Sequence, residues 1–320
     1  MRQTLILHIG THKTGSTTIQ NYLYYNRLWL RRLGVFYPRP MTGRLFYTSN
    51  HSDLRDTARS EGKHRDACIH PEIGPHDALL GRYVRAIKEV GQPINILSAE
   101  GLSSHLNRYA RRLAPLQQHF TVKVLAYMRR PDIWIEKFYS QRIANIEHAE
   151  KQTFARFVQQ PHIETYLYNR HRMFGWWAKA FGAENVTVIP FEPAVPNFDL
   201  IAQFLKCAGI KNSLANHLLL RHAKANQTLS PLGVEMLREM NANGTQTDLK
   251  TIRKLKRAAG PEGNGFLRAP DRQAILTRAA PDMARICDDF VRDGRTVLFP
   301  NPPERLATSP PQDFGEIRLM

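Results

Sequence analysis

The sequence predicts an α/β fold: a three-layer α/β/α arrangement around a mostly parallel central sheet, with a helical C-terminal part. Three observations carry this. Short apolar runs without period-2 alternation, the pattern of strands buried on both faces, are separated by stretches with apolar residues at helical spacing. The chain opens on a strand–loop–helix unit, the building block of parallel sheets. Finally, 42% apolar against 23% charged residues over 320 positions supplies a core and excludes a disordered chain.

Taken in order, residues 4–9 (TLILHI) read as a buried strand, and Gly10 to Ser16 as a loop. Residues 17–32 form a helix with Ile19, Tyr22, Leu23, Asn26 and Leu30 on one face. GVFY at 34–37 is a short strand stopped by Pro38 and Pro40, and the polar stretch 39–76 reads as a long loop region. A helix over 78–90 precedes a strand at 94–99 (INILSA), a basic helix at 106–119 and a strand at 122–128 (VKVLAYM). Arg129-Arg130-Pro131-Asp132 then turns into a helix that runs to about residue 146. Beyond it come a helix at 163–181, a strand at 185–190 and helices at 198–208, 230–242, 246–258 and 270–293. Residues 1–299 are expected to form one domain. Residues 300–320, with Pro300, Pro302, Pro303, Pro310 and Pro311, read as an extended tail.

Several classes drop out. No apolar run approaches the roughly 18–20 residues of a membrane span. Residues 4–9 are too short for a signal-peptide core, and no cleavage-like pattern follows. Cys68, Cys207 and Cys287 are odd in number and widely spaced, which argues against a disulfide framework and a CxxC metal site. A reduced, cytoplasmic location is the expectation. There is no HExxH and no His/Cys cluster at metal spacing, so no metal is expected. The 45 Lys+Arg against 28 Asp+Glu leave a formal charge of +17. That surplus is either a solvated basic surface or an attraction for an anionic partner, peripheral contact with a membrane surface included.

Ligands in open parallel sheets bind outside the carboxyl ends of the strands. Residues 10–18, 98–101 and 129–140 fall there. The first, Gly10-Thr-His-Lys-Thr-Gly-Ser-Thr-Thr18, joins a strand to a helix N-terminus, a natural anion site. Its spacing approaches the phosphate loop GxxxxGK[ST], but Ser16 stands where that loop's lysine would be, and Lys13 lies three residues earlier. An ordinary ATPase or kinase is disfavoured, and the absence of GxGxxG disfavours a dinucleotide loop.

Lys-x-Gly-x-Thr-Thr after an N-terminal strand resembles the phosphosulfate-binding loop of sulfotransferases that use 3′-phosphoadenosine-5′-phosphosulfate (PAPS). LHIGTHKTGSTTIQNYL looks like the bacterial members of that superfamily. The resemblance implies that Lys13 contacts the sulfonate and bridging oxygen, and that Thr14, Gly15, Ser16, Thr17 and Thr18 supply donors to the 5′-phosphosulfate. The family's second motif is Arg-x-Pro at a strand end with a serine eight residues after the arginine, both holding the 3′-phosphate. Arg129, Arg130 and Pro131 are in register, but the eighth residue after Arg129 is Lys137, and Ser140 lies one helical turn further on. Lys137 matches by position, and Ser140 is the alternative.

The acceptor hydroxyl must lose a proton to a positioned base. Glu100, in LSAEGLSSH, ends the strand at 94–99, and similar bacterial proteins carry a Ser-x-Glu there; its other reading is a helix cap or a structural ion pair. His12 inside the loop is the second candidate, and His51 in the 39–76 segment is placed to line an acceptor site. Glu192, after the strand at 185–190, reads as structural, and the run KTIRKLKR at 250–257 is either a solvated helix or an anion contact. The resemblance extends loosely over residues 4–299, with specific motifs at 7–18 and 129–140. It implies sulfonate transfer from PAPS to a hydroxyl, most readily of a carbohydrate or glycolipid, without a metal. The competing readings are a degenerate phosphate-loop nucleotide kinase or NTPase, and a basic nucleic-acid-binding protein. The latter has no recognisable binding motif.

Overall fold

The computed structural model describes residues 2–41, 49–59, 76–103, 107–146, 149–210, 229–245, 248–258 and 265–300. These group into two compact units. The first comprises residues 1–128, 171–224 and 285–298, and the second residues 129–170, 225–284 and 299–320. Most of the Pro-rich tail, residues 301–320, lies outside the described residues, as does Cys68.

The first unit holds a five-stranded, all-parallel sheet, so the fold class is the α/β one that the sequence predicts. Its strands are β1 (Thr4–His8), β2 (Val35–Phe36), β3 (Ile94–Ser98), β4 (Thr121–Met128) and β5 (Val186–Pro190), in spatial order β2-β3-β1-β4-β5. The apolar runs are continuous because both faces are covered: Leu5 and Leu7 are as buried as Ile6. On one face Ile6, Ile96, Leu125, Tyr127 and Ile189 pack with Ile19 and Leu23 of α1 (Ser16–Tyr25) and with Ile201, Phe204 and Leu205 of α10 (Leu200–Cys207). Asp199 caps the latter helix by accepting from the N–H groups of Ile201 and Ala202.

This order has a consequence for binding. The chain adds β2 and β3 to one side of β1, then β4 and β5 to the other. The carboxyl end of β1 is therefore the switch point of the sheet, where parallel strands leave a crevice. The register sets His8 of β1 opposite Ser98 of β3. The loops that follow them, at residues 9–15 and 99–103, consequently start side by side.

The second unit is helical, built on α6 (Pro131–Ala144), α7 (Phe154–Val158), α8 (Pro161–Tyr168) and the later helices α11 (Pro231–Ala242) and α12 (Leu249–Ala258). Trp134, Phe138, Tyr139, Phe154, Phe157, Val234, Leu237 and Phe266 form its core. Arg170, buried among them, stacks on Trp134 with 4.6 Å from its guanidinium carbon to the ring centre. Its backbone N–H donates to Asp282 at 2.8 Å.

Several boundaries differ from the sequence pattern. The 39–76 stretch is not all loop: Ser52–Arg59 is α3, with an acidic first turn and Leu54 and Ala58 buried. The helix expected at 17–32 breaks at Asn26 into α1 and α2 (Arg27–Arg32). Residues 106–119 give only Arg108–Leu113 (α5) before Pro115 tightens the chain into a 3-10 turn. Residues 163–181 split at Asn169 into α8 and α9 (Arg170–Phe181). The short α7 follows no long-range periodicity and has no counterpart in the sequence reading.

Candidate functional site

The loop after β1 turns through left-handed backbone at a lysine and at a glycine. Lys13 adopts φ 65° and Gly15 φ 78°, both left-handed. Gly15 is required twice over, since a Cβ there would lie 2.5 Å from the Leu200 side chain and 3.1 Å from Phe191. Two threonines fasten the loop from within. Thr11 donates its hydroxyl to the Tyr127 carbonyl at 2.7 Å, and Thr14, fully buried, donates to the Thr11 carbonyl at 2.6 Å. Thr14 thus faces inward, Thr17 is exposed and Thr18 half-buried at the start of α1.

At the N-terminus of α1 the capping residue is Gly15, and the first turn carries no acidic residue. The first N–H groups of a helix have no intrahelical acceptor, and the helix dipole favours negative charge there. The Ser16 hydroxyl is 2% exposed by residue and has no hydrogen-bond partner among the described residues. Across the loop, a Cβ on Gly10 would lie 2.4 Å from Ser16 Oγ and 3.3 Å from His8 Nε2. His8 Nε2 is likewise buried and unpartnered among the described residues. Its other nitrogen, Nδ1, lies 2.8 Å from Ser98 Oγ, which also accepts from Gln20 Nε2 at 3.0 Å. Burial drives the His8 pKa down to about 4, against the pull of Glu100, so the ring is neutral at physiological pH.

Glu100 meets this loop from β3. Its Oε1 accepts the backbone N–H of Lys13 at 3.1 Å and lies 3.5 Å from His12 Nδ1. Burial pushes the Glu100 carboxyl up. The His12 contact, the Lys13 N–H and the Lys13 charge together outweigh this and hold it below the usual carboxylate range. The three candidates Lys13, His12 and Glu100 are therefore one cluster, and Glu100 also supports the left-handed turn at Lys13. Beside it, a Cβ on Gly101 would strike Arg55 Cδ at 2.1 Å, so the absence of a side chain lets the α3 arginine lie across the turn.

His51 is not at an open acceptor site. It is fully buried, its Nδ1 accepts from the Ser98 N–H at 3.0 Å, and Nε2 donates to the Pro38 carbonyl at 3.1 Å. With both nitrogens committed, it ties the segment before α3 to the end of β3. Glu192, read from the sequence as structural, pairs with Arg295 at 2.9 Å.

The chain enters the second unit at Arg129. Arg129 is half-buried, and its carbonyl accepts from Arg170 Nη1 at 3.3 Å. Arg130 is buried and committed to Asp132, with Nε to Oδ1 at 2.7 Å and Nη2 to Oδ2 at 2.8 Å. Arg272 continues the network, from Asp132 at 3.2 Å to both oxygens of Glu136 at 2.8 and 2.9 Å. Lys137 and Ser140 line one small pocket, open to solvent, with Glu136, Leu229, Pro231, Gly265 and Phe266. The Ser140 hydroxyl donates to the Glu136 carbonyl of its own helix at 2.9 Å. That leaves Ser140 with only acceptor capacity, beside Lys137 on the same pocket.

His8 and Gln20 escape the sequence reading, and Ser98 enters it only as the first residue of the 98–101 segment. The only signal is that His8 closes β1 immediately before the loop; nothing local shows that Ser98, ninety positions away, will oppose it.

No protein-family model matches the chain, and neither does any curated protein. Among solved structures, the chain is similar to a sulfotransferase from Alicyclobacillus acidocaldarius at 15% identity and a TM-score of 0.42, over 80% of this chain and 96% of that one. It is also similar to mouse sulfotransferase SULT7A1 complexed with PAP, at 12% identity and a TM-score of 0.40, over 89% of this chain and 86% of that one. By its own geometry the first unit defines a parallel α/β domain with a Gly- and hydroxyl-rich loop at its switch point, edged by a carboxylate and an imidazole.

Proposed function

We propose that this protein is a sulfotransferase that moves a sulfonate group from PAPS to a hydroxyl of a carbohydrate or glycolipid. The observation that carries this reading is the loop itself. A Lys-x-Gly-x-Thr-Thr motif lies at the switch point, with a buried Ser16 hydroxyl that has no partner among the described residues at a helix N-terminus, and Glu100 bound to its Lys13 N–H. An oxyanion at that place would satisfy the orphaned hydroxyl and the free N–H groups together, so the donor set fits a phosphosulfate.

In the reaction the acceptor oxygen attacks sulfur, the bond from sulfur to the bridging 5′-phosphate oxygen breaks, and 3′,5′-bisphosphoadenosine leaves. Negative charge grows on that leaving oxygen. The Lys13 ammonium, the Ser16 hydroxyl and the N-terminus of α1 stabilise it, and no reorganisation is needed when the charge appears. The acceptor's proton passes to Glu100, which is ionised at neutral pH, with His12 beside it as the second group able to hold a proton. Following the resemblance, Arg129 and Lys137 take the 3′-phosphate. An arginine fork and a lysine point charge both suit it, and Ser140 has already given its proton to the helix.

Binding of 3′,5′-bisphosphoadenosine, ATP with magnesium, and duplex DNA tests this by calorimetry, on the wild type, Lys13→Ala and Glu100→Gln. Lys13→Ala should weaken bisphosphoadenosine by about 10–100-fold, the scale of a lost charge-assisted contact. Glu100→Gln should leave binding within a few-fold while cutting turnover about 100-fold or more. Magnesium-dependent ATP binding tighter than bisphosphoadenosine would replace the proposal with the kinase reading, and preferential DNA binding with the nucleic-acid one.

A further inference from the structure

The corner formed by α1 and α2 has two apolar faces, and among the described residues only one is buried. Ile19, Tyr22, Leu23 and Leu30 are buried against the sheet. On the outer side Tyr25 is 53% exposed, Leu28 70% and Trp29 57%. Leu28, Trp29 and Arg32 of α2 lie at i, i+1 and i+4 on its outer side, and Tyr25 is the last residue of α1. Arg31 and Arg32 are exposed and Arg27 half-buried, and the Arg32 guanidinium lies over the Trp29 ring at 4.8 Å. No Asp or Glu occurs before Asp53, so nothing within this whole N-terminal stretch neutralises these arginines.

We propose that this corner is a docking surface for an anionic lipid bilayer. Leu28 and Trp29 would enter the headgroup boundary, and Arg27, Arg31 and Arg32 would face lipid phosphates. Basic residues around a Trp/Leu face are the composition that rests in a membrane interface, and tryptophan favours that depth because its ring has an apolar body and a polar edge. The charge decides between occupants. A second copy of this chain meeting the same patch would set arginines against arginines. A nucleic-acid strand would use the rings and the arginines but leave Leu28, the most exposed of the apolar side chains, without a role. An anionic bilayer uses all of them. Among the described residues no helix is long and apolar enough to cross a membrane, so the contact is peripheral. The proposal stands independently of the sulfotransferase reading.

Sedimentation of the full chain with vesicles tests it. Vesicles of phosphatidylcholine with about 30% phosphatidylserine should pellet the protein, and pure phosphatidylcholine should not; binding should weaken steeply between about 50 and 500 mM salt. Leu28→Ser/Trp29→Ser and Arg31→Gln/Arg32→Gln change exposed side chains only, and each should lower vesicle affinity by about tenfold or more. Wild-type tryptophan emission should shift to the blue on binding, and Trp29→Phe should bind while losing that shift. Vesicle binding that survives both double variants, or no binding by the wild type, overturns the proposal. So does a self-association or a single-stranded RNA complex that depends on Trp29 when vesicle binding does not.

Discussion

His8 shows how one side chain couples the site to the stability of the fold. Its folded pKa lies near 4 against 6.5 for the free side chain, because burial disfavours the charged ring. Between those two values the unfolded chain binds a proton that the folded chain refuses, so stability rises with pH across the window and is lost on acidification from 6.5 towards 4. The shift corresponds to about 3 kcal/mol. Urea denaturation at pH 7 and pH 4 should therefore show a fall in the wild type that exceeds that in His8→Gln by about this amount. Equal falls would show that the ring takes up its proton without cost. Its Nε2, without a hydrogen-bond partner among the described residues, lies beside Ser16 Oγ and Gly10.

Among the elements, the loop between β1 and α1 depends most on a single residue type. Gly15 combines a left-handed φ of 78° with a direction in which a Cβ meets Leu200 and Phe191. Gly15→Ala should thus lose about 1–3 kcal/mol from strain and steric conflict, seen as a lower midpoint of thermal unfolding, and it should also weaken bisphosphoadenosine binding. By contrast, Gly81 and Gly175 have open space where a Cβ would go and should accept alanine. The periodicity of apolar residues made the strands and most helices legible. It overextended the helices at 17–32, 106–119 and 163–181, because the breaks at Asn26 and Asn169 and the tightening at Pro115 do not interrupt the apolar pattern enough to show. The helix at Ser52–Arg59 is hidden for the opposite reason: its composition is polar, and Leu54 and Ala58 are its only apolar residues.

Across the whole molecule the surplus of +17 charges sets the long-range field. A multiply anionic donor is attracted to such a chain before it touches any residue, and salt screens that attraction over about 10 Å at 0.1 M. Stopped-flow association of bisphosphoadenosine should slow by about tenfold between low and high ionic strength, with dissociation changing far less. An association rate indifferent to salt would assign the surplus to solubility alone. Much of the charge is local, however. Arg130 and Arg272 are spent on Asp132 and Glu136 inside the second unit, and Arg27, Arg31 and Arg32 gather at the α1–α2 corner.

The sequence by itself determined the class of the fold and the chemistry of the loop. Continuous apolar strands require a sheet covered on both faces, and a lysine with glycine and hydroxyl residues after the first strand requires a polar, anion-compatible turn; both are local properties that adjacent residues carry. Only the tertiary structure decided what meets that loop. The parallel pairing of β1 with β3 in the register His8 to Ser98 brings Glu100 onto the N–H of Lys13 and against His12, and it seals His51 away between Ser98 and Pro38. Those partners lie 87 residues apart for Lys13 and Glu100, and 47 for His51 and Ser98. A one-residue slip would turn every side chain of the strand to the other face and part Glu100 from Lys13, and no local pattern in the chain states the register.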